Sequence, residues 1–394
     1  MRDKEIAIIA KGSGISFSFE AVNTKCYYMA KILKSYGLNV TILSSIYYQR
    51  ESVTGEVGRY HGIKYYMPSV YPNPNSKWKR SYYKFVYIWK VICFLIHLKR
   101  KWAKVHFVFD DNSTPFPILL ILQGIGVVEL IFNLEEWPLS HNIPLKRKML
   151  SHWFVAFAFK TCRKSVCVSS YLIRQAIHYN KQTMAFKLPA LTQFSESRSE
   201  TSVRSTDQSL STRFLYCGNV GYSEVILAIL KAYEDVCFVR THDEVELVLI
   251  LHGDALQLQG FSDYVRQSKY AIKMITGLSE PDLFAEYAQA SVLLAPLRLT
   301  VQDEARFPQK IAEYVALSKP IITTSVGDIC LYFESDESAI FLDDFSVAEL
   351  TRKMDFVIEN KQKLTAIGIE GNLVGRRHFD YKQYIVSFGD FVTS

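Results

Sequence analysis

The feature that most constrains the fold is the alternation of short apolar runs with amphipathic segments, which occurs in both halves of the chain. In the first half, the predicted strands are IAIIA, NVTIL, KVHFVFDD, VVELIFNL and SVCVSS. In the second half they are FLYCG, ELVLILHG, AIKMITG, SVLLAPL and IITT, with helical segments such as SEVILAILKAYEDV between them. Such alternation is typical of parallel sheets with helices on both faces. We therefore expect an α/β protein with two doubly wound domains.

The domain boundary is expected where the composition changes. Residues 195–212 are rich in Ser and Thr and nearly free of apolar residues, which is typical of a linker or a surface loop. The first domain is then expected at 1–194 and the second at 213–378, with a C-terminal helix at 379–394 that packs back on the first domain. Because ligands of open parallel sheets bind beyond the carboxyl ends of the strands, a central cleft faced by both domains is the expected site.

The charge of the chain is divided unevenly. Residues 1–195 have a net charge of +17 and residues 196–394 a net charge of −10, within a total of +7. The basic half indicates an anionic partner. The acidic half argues against a nucleic-acid-binding enzyme, so no nucleic acid is expected as a partner.

Cysteines and hydropathy indicate the compartment. The seven cysteines are scattered and include no C-x-x-C pair, which favours a reduced, cytoplasmic protein over a disulfide scaffold. The apolar run after MRDKE is too short for the core of a secretory signal. No stretch approaches the roughly 20 uninterrupted apolar residues of a membrane span.

One segment of the second half combines a helix with opposite charges at its start. The segment is FPQKIAEYVALSKPIITTSVG, residues 307–327, and it reads as a helix, a turn and a strand. Pro308 lies where a first helical residue is expected. Lys310 and Glu313 follow three apart, so both lie on one face of the first turns. A free helix N-terminus with an added lysine suits a diphosphate, whereas a surface Lys–Glu pair that stabilises the helix is the simpler alternative.

The second half resembles a known family. The runs FLYCGNVG, ELVLILHG and SVLLAPL, followed by FPQKIAEY before a strand and SVGD, are similar to the C-terminal domain of the GT-B glycosyltransferases, and most similar to family 4, the glycosyl transferases group 1. The resemblance extends over residues 213–378 and is weaker in the first half. It implies a GT-B architecture of two Rossmann-like domains that face a central cleft, and a nucleotide-sugar donor bound by the second domain.

The resemblance also implies roles for individual residues. Glu313 is expected to bind the two ribose hydroxyls of the donor, and Lys310 to stabilise the leaving diphosphate. Gly218, Asn219 and Gly221, after the first strand of the second domain, are expected beside the donor, with a plain strand-to-helix turn as the alternative. In the first domain, Gly12 and Gly14 resemble the glycine loop that faces the donor phosphates, although a turn explains this pair nearly as well.

Two departures from the family pattern concern the same site. Ala305 stands where the family usually has a second glutamate, eight residues before Glu313. The loop at 218–224 contains neither the arginine nor the lysine that commonly grips the diphosphate. Arg306, just before the segment 307–327, is another available cation. It either takes over part of the diphosphate binding or is a solvated side chain.

The catalytic group of the first domain is less clear from the sequence. Glu135 and Glu136 follow one predicted strand and Asp110 and Asp111 another, where each could orient or deprotonate an acceptor hydroxyl. Glu136 is the preferred candidate, although such residues more often cap helices. No metal site is expected, because no His, Cys, Asp or Glu cluster has metal-ligand spacing.

The function that these patterns favour is transfer of a hexose from a UDP- or GDP-sugar to an acceptor hydroxyl of a glycan or lipid-linked glycan. The resemblance implies retention of configuration, and charge and analogy suggest surface-polysaccharide or lipid-linked glycan synthesis. No cofactor beyond the donor is expected. The alternatives are an inactive GT-B scaffold that binds a sugar nucleotide or a partner, and a GT-B sugar-nucleotide epimerase.

A basic aromatic segment suggests where the enzyme operates. Residues 77–104 contain nine Lys or Arg and no acidic residue, interleaved with aromatic and aliphatic residues. An amphipathic basic helix of this kind is a candidate anchor for an anionic membrane surface. The alternative is that its apolar face packs on the adjacent sheet. We expect the first domain to dock on the inner leaflet, with the acidic second domain in the cytoplasm.

Overall fold

The chain divides into two compact units in the structure, which is a computed structural model. One unit is Met1–Leu191 with Tyr381–Ser394, and the other is Thr192–Asp380. The structure describes residues 6–11, 21–44, 57–60, 62–66, 68, 76–101, 105–109, 116–137, 145–194, 211–240 and 245–394. The predicted glycine pair Gly12 and Gly14, the Asp110–Asp111 pair and most of the predicted linker lie outside these residues.

The first unit contains an eight-stranded sheet among its described residues. Its strands are β1 (Ile6–Lys11), β2 (Asn39–Ser44), β3 (Val57–Tyr60), β4 (Ile63–Tyr66), β5 (Val105–Phe109), β6 (Glu129–Leu134), β7 (Lys164–Cys167) and β8 (Met184–Lys187). Their order is β3-β4-β2-β1-β5-β6-β7-β8, and every pair is parallel except the β3–β4 hairpin. The predicted strands of the first half thus lie in one parallel sheet, and the hairpin is an addition that we had not predicted.

The helices of the first unit cover both faces of this sheet. They are α1 (Ala21–Ser35), α2 (Lys77–Lys101), α3 (Phe116–Gly124), α4 (Leu145–Thr161), α5 (Ser170–Tyr179) and, from the end of the chain, α14 (Ile385–Thr393) after a 3₁₀ turn at Tyr381–Tyr384. The predicted helix 379–394 is therefore shorter than expected. It packs against α1, where the ring of Tyr28 stacks on that of Tyr381.

Alternate strand residues show which helices share a face. Ile131 of β6 and Tyr65 of β4 belong to the core formed with α1 and α14. Their neighbours Phe132 and Tyr66 point to the opposite face, where Phe132 contacts the rings of α4 and Tyr66 stacks on Phe94 of α2. Since α3 is the crossover from β5 to β6 and hydrogen-bonds to the end of α4, helices α2, α3 and α4 form one layer.

The second unit is a six-stranded, fully parallel sheet among its described residues. Its strands are β9 (Thr212–Asn219), β10 (Val245–His252), β11 (Ile272–Ile275), β12 (Val292–Ala295), β13 (Ile321–Thr324) and β14 (Ile340–Leu342). The order β11-β10-β9-β12-β13-β14 reverses direction at β9, which places a ligand site at the carboxyl end of β9. The predicted linker extends one residue too far, because Thr212 is buried and begins β9.

Four of the eight helices that the structure describes in the second unit begin at side-chain caps. They are α6 (Ser223–Val239), α7 (Ala255–Gln267), α8 (Glu280–Gln289), α9 (Val301–Ala305), α10 (Gln309–Ala316), α11 (Ile329–Tyr332), α12 (Val347–Glu359) and α13 (Lys361–His378). Side-chain oxygens of Asp254, Ser279, Thr300 and Ser346 accept first-turn N–H groups of α7, α8, α9 and α12. The core packs α6, α7, α12 and α13 against buried residues of five of the strands.

Candidate functional site

Helix α10 begins without a side-chain cap. Pro308 is its N-cap, with φ −64° and ψ 125°, and no side chain among the described residues caps this end. The expected position of Pro308 was thus wrong by one residue, because Gln309 is the first helical residue. The Ile311 N–H of the first turn donates to the Pro308 carbonyl oxygen at 3.1 Å, and the helix dipole adds a partial positive charge at this end.

Helix α13 fixes the position of α10 by close contact. A side chain at Gly368 would collide with the carbonyl oxygen of Ser318, just after α10, and one at Gly375 would collide with Val315 of α10. Between these glycines, the Asn372 amide donates to the Val315 carbonyl at 2.8 Å. The buried Asn372 therefore closes the carboxyl end of α10 and holds the helix in register with the sheet.

Lys310 connects the start of α10 to the carboxyl end of β9. Its Nζ donates to the carbonyl oxygen of Cys217 at 3.1 Å and lies 3.9 Å from the ring centre of Tyr216. The side chain is half-buried. The pKa of Lys310 is lowered to about 7, mainly by burial, and the positive charge of Arg306 acts in the same direction. Lys310 is therefore a cation whose charge depends on what binds beside it.

A buried carboxylate organises two arginines beside this lysine. Asp303 is fully buried, and its oxygens lie 2.8 Å from Nε of Arg298 and 2.7 Å from a terminal nitrogen of Arg306. The backbone N–H of Arg298 also donates to Asp303, at 2.9 Å. The side chain of Arg306 is 15% exposed, so the alternative that it is simply solvated was wrong.

Both guanidinium groups lie over one aromatic ring. The guanidinium carbon of Arg306 lies 4.1 Å from the ring centre of Tyr222, and that of Arg298 lies at 5.6 Å. Tyr222 belongs to the loop at 218–224, which has no cation of its own. The segment after β12 thus brings two cations to the loop after β9, an arrangement that we had not predicted for Arg298 or Tyr222. The signal available in the sequence was RLTVQDEAR, with an arginine on either side of the aspartate.

Small and polar residues shape the carboxyl end of β9 and the turn that follows it. A side chain at Gly218 would collide with the ring of Tyr216, and one at Gly221 would lie 3.0 Å from Oδ1 of Asn219. That oxygen accepts the N–H of Gly221 at 2.8 Å. These contacts shape the turn and support the turn interpretation, while the three residues lie at the same strand end as Lys310.

Glu313 lies one turn inside α10 and is buried, with 9% of its surface exposed. Burial raises the pKa of Cys217 to about 11, and the charge of Glu313 is among the smaller causes. The carboxylate is therefore close to the carboxyl end of β9. His252, at the end of β10, pairs with Asn219 of β9, and burial and then the charge of Lys310 lower its pKa.

Ala305 ends the short helix α9 and is fully buried. The position that resembles the family's second glutamate is therefore filled by a methyl group inside the fold. Glu304, next to it, is half-buried, and its backbone oxygen lies close to Gly327, which has φ +62°. This contact requires glycine in the SVGD segment.

The carboxylates of the first unit lie after β6. Glu135 accepts hydrogen bonds from Lys25, at 2.9 Å, and from the amide of Asn133, at 2.9 Å. Lys25 is buried in α1 and also donates to the carbonyl of Leu188 at 2.7 Å. Glu135 is thus part of a structural network, and Glu136, the preferred candidate, is the half-buried next residue. The described residues do not bring three or more His, Cys, Asp or Glu side chains together as metal ligands.

A known family model matches part of the second unit. Residues 211–360, which include all of the site residues in the second unit, match the family model of glycosyl transferases group 1. A comparison with curated protein sequences gave no match.

Solved structures share the whole fold. Sucrose-phosphate synthase from Thermosynechococcus elongatus has a TM-score of 0.75 at 10% identity, with 99% of this chain and 98% of that chain covered. HepE from Anabaena, in complex with UDP-glucose, has a TM-score of 0.67 at 12% identity, with 98% of each chain covered. A trehalose-phosphate synthase from Burkholderia xenovorans, in complex with glucose-6-phosphate, has a TM-score of 0.68 at 11% identity, with 99% and 100% covered. The chain therefore shares its fold with these solved structures, and its residues 211–360 match the model of glycosyl transferases group 1.

Proposed function

We propose that this chain transfers a hexose from a UDP- or GDP-sugar to an acceptor hydroxyl, with retention of configuration and without a metal, as in family 4. Two similar structures support the substrate class, because HepE is in complex with UDP-glucose and the trehalose-phosphate synthase with glucose-6-phosphate. The setting that we propose is cytoplasmic synthesis of a surface polysaccharide or a lipid-linked glycan.

The observation that carries the proposal is the cation cluster at the start of α10. Lys310 and Arg306 lie beside an uncapped helix N-terminus, at the strand end where the sheet changes direction. When a glycosyl group leaves a nucleoside diphosphate, negative charge develops on the phosphate. Positioned cations and N–H groups stabilise that charge. Lys310 and Arg306 are the proposed catalytic groups of the second unit.

The remaining site residues have binding or positioning roles in this proposal. Glu313 accepts the ribose hydroxyls, and Gly218, Asn219 and Gly221 contact the donor through the loop after β9. Pro308 leaves the start of α10 open. In the first unit, Glu136 receives the acceptor proton. Gly12 and Gly14 would approach the phosphates, although they lie outside the described residues.

A donor titration followed by a turnover assay tests the proposal. UDP- and GDP-sugars are titrated into the full chain, and nucleotide release is then measured with and without glycan acceptors. Saturable binding together with acceptor-dependent release supports a transferase. The second candidate is a scaffold without turnover, which the buried methyl group of Ala305 favours, and binding without any nucleotide release would establish it. Absence of binding to every donor would contradict both.

Replacing Glu313 with glutamine is expected to raise the KM for the donor about ten- to hundredfold. The amide keeps the shape of the side chain but loses the charge that strengthens hydrogen bonds to ribose, worth about 1.5–3 kcal/mol. Steady-state kinetics measures the effect, and circular dichroism checks the fold. Glu370→Gln, at an exposed position of α13, is the matched control. Unchanged kinetics in Glu313→Gln would remove this residue from the site.

Donor affinity is expected to fall as the pH rises above neutrality. Because the pKa of Lys310 is about 7 in the chain without donor, an increasing fraction of this side chain is neutral above that pH. A diphosphate stabilises the ammonium and raises this pKa, so binding takes up a proton. The affinity then decreases by up to about tenfold per pH unit until the pKa of the complex is reached.

Calorimetry in buffers of different ionisation enthalpy measures this proton uptake directly. Lys310→Arg is the control, because arginine stays charged throughout and should bind without taking up a proton. His252 is neutral in this range, since its pKa is lowered from the usual value. An affinity that is constant between about pH 7 and 9 would contradict the assignment.

Turnover is expected to survive EDTA. In this proposal the helix N-terminus and the Lys310 and Arg306 side chains supply the positive charge that a divalent cation supplies in other transferases. The measurement is the initial rate before and after incubation with EDTA and gel filtration. A loss of activity that Mg²⁺ or Mn²⁺ restores would contradict metal independence.

We also propose that the chain is located peripherally on the inner membrane leaflet. In the part of the chain that the structure describes, no helix is long and apolar enough to cross a membrane. The support is the basic segment 77–104, of which residues 77–101 form α2. Docking through charge would require anionic lipid and weaken with salt. It would be lost when Lys99, Arg100, Lys101 and Lys104 are changed to Glu.

A further inference from the structure

Helix α2 carries a continuous stripe of exposed large apolar side chains. Trp78 is 86% exposed and Phe85 is 67% exposed, and Tyr82, Trp89 and Ile96 are also exposed. With the half-buried Ile92, these residues recur at alternating steps of four and three, which keeps them on one face of a helix. The stripe extends over about 27 Å of helix length.

The opposite face of α2 already makes the packing contacts. Tyr87, Val91 and Leu95 are buried at steps of four and lie about half a turn away from the stripe. The alternative that the apolar face of this helix packs on the sheet therefore applies to Tyr87, Val91 and Leu95, and not to the exposed stripe. The exposed stripe is a second apolar face, and core packing does not explain it.

Neighbouring helices continue this apolar surface. On α4, Met149, Trp153 and Phe157 are exposed at steps of four, while Val155 and Phe159 are buried. Ile121 of α3 and Ile125 just after it are exposed too. Because α2, α3 and α4 form one layer on the sheet, their outward faces together form what we call the aromatic surface of the first unit. Its exposed residues are Trp78, Tyr82, Phe85, Trp89, Ile96, Ile121, Ile125, Met149, Trp153 and Phe157.

The charged side chains of α2 and α4 are all of one sign. Helix α2 contains eight Lys or Arg and no acidic residue, and α4 contains four and none. By helical geometry, Lys79 and Lys90 lie on one side of the stripe of α2, and Lys84 and Lys99 on the other. An apolar face with aromatic residues between two rows of cations is the pattern of helices that lie in a membrane interface.

We propose that the aromatic surface inserts into the interface of an anionic lipid bilayer, with α2 parallel to the membrane plane. This inference rests on the peripheral location proposed above and goes beyond it, because insertion of Trp and Phe, rather than charge alone, supplies the attachment. The lysine rows contact lipid phosphates, and the Trp and Tyr rings lie at headgroup level. The acceptor class that fits such an enzyme is a lipid-linked saccharide presented at the bilayer surface.

The charges favour lipid over a protein partner. Lysine is depleted at protein–protein interfaces, where desolvation of its ammonium is costly. A second copy of this chain, docked face to face through the same surface, would bring two basic rows together. Anionic headgroups, in contrast, are complementary to both rows of lysines along the full length of α2.

The test is vesicle binding by the full chain, with tryptophan depth measured in the same samples. Vesicles of phosphatidylcholine, with and without about a third phosphatidylserine, are compared by sedimentation. Lipids brominated at different acyl depths then quench the inserted tryptophans. Trp78, Trp89 and Trp153 are exposed on the aromatic surface, whereas Trp137 is buried. We expect binding to the anionic vesicles and quenching that falls when Trp89 and Trp153 are replaced by phenylalanine.

Two matched double variants measure how much the exposed apolar side chains contribute to membrane binding. Phe85→Ser with Trp89→Ser should lower the partition coefficient about a hundredfold, at about tenfold for each exposed ring. The control is Phe238→Ser with Leu256→Ser, which removes two apolar side chains of the second unit that are even more exposed and should leave partitioning unchanged. Donor titration on both variants checks that the second unit is intact.

Each outcome separates the proposals. Vesicle binding without quenching, and equal in both double variants, would overturn insertion and leave a charge-based peripheral location. Failure to bind any vesicle at low salt would overturn both, while donor binding in the same preparation would leave the transferase proposal standing. Lipid-free self-association that the Phe85 and Trp89 substitutions abolish would assign the surface to contacts between copies and overturn the inference.

Discussion

Replacing Lys310 with alanine is expected to weaken donor binding and turnover about ten- to hundredfold. A single charge-assisted contact with a phosphate is worth about 1.5–3 kcal/mol, and the Lys310 ammonium lies at the carboxyl end of β9, 3.1 Å from the carbonyl oxygen of Cys217. Donor affinity by calorimetry and kcat/KM by a nucleotide-release assay measure the two effects. The fold should tolerate the change, because burial makes the ammonium unfavourable and the folded state gains little from this charge.

Glu304→Ala is the control for this substitution. Glu304 lies in the preceding short helix and is half-buried, so its truncation removes a comparable side chain from the same segment without removing a cation. Lys310→Arg adds a second comparison, since it keeps the charge. Small and equal effects of Lys310→Ala and Glu304→Ala would show that Lys310 does not contact the donor phosphates.

The architecture could be predicted from the sequence because each strand has a strong local signal. In the second unit, β10, β12 and β13 consist mostly of buried Val, Ile, Leu, Ala and Thr residues, and glycine, proline or serine directly follows each of them. The β3–β4 hairpin was missed because its strands contain four residues each and alternate weakly. Its turn residue Gly62, with φ +79°, was the available signal.

The site could be predicted only in part, because some of its residues are neighbours on one helix and others meet only through long-range contacts. Lys310 and Glu313 are close in sequence and lie on one helix, so spacing alone placed them together. Arg298 and Tyr222 meet across two loops that follow different strands, and 76 residues separate them in the sequence. Helical spacing also could not separate the two apolar faces of α2, since only the packed structure shows which residues are buried.

Replacing Asp303 with asparagine is expected to destabilise the second unit by about 3–5 kcal/mol. Removing one partner of a buried ion pair leaves the other charge without compensation, and Asp303 has two such partners, Arg298 and Arg306. The two arginines bind different oxygens of Asp303, and asparagine replaces one of these oxygens with an NH2 group that cannot accept a hydrogen bond. Urea unfolding, which does not screen charge, measures the loss.

The matched control is Asp263→Asn, which breaks the exposed pair between Asp263 and Arg266 on α7. Pairs on the surface are worth about 0–1 kcal/mol, so the urea midpoint should change little. If both asparagine variants unfold at the same urea concentration, the buried ion pairs of Asp303 contribute no more to the free energy of unfolding than a surface pair does. Arg306→Lys provides an independent variant that keeps a charge beside Asp303, should Asp303→Asn fail to fold.

The same substitution should also weaken donor binding, although it removes a negative charge from a site for an anion. Electrostatics alone would predict tighter binding, because the carboxylate offsets part of the arginine charge. However, Asp303 holds Arg298 and Arg306 over Tyr222. Without Asp303 the two side chains would be mobile, and fixing them when the donor binds would cost conformational entropy and lower the affinity. We expect the loss of order to prevail, so the donor affinity of a folded Asp303→Asn chain should fall. Tighter binding would show that Asp303 limits the charge of the site instead of organising it.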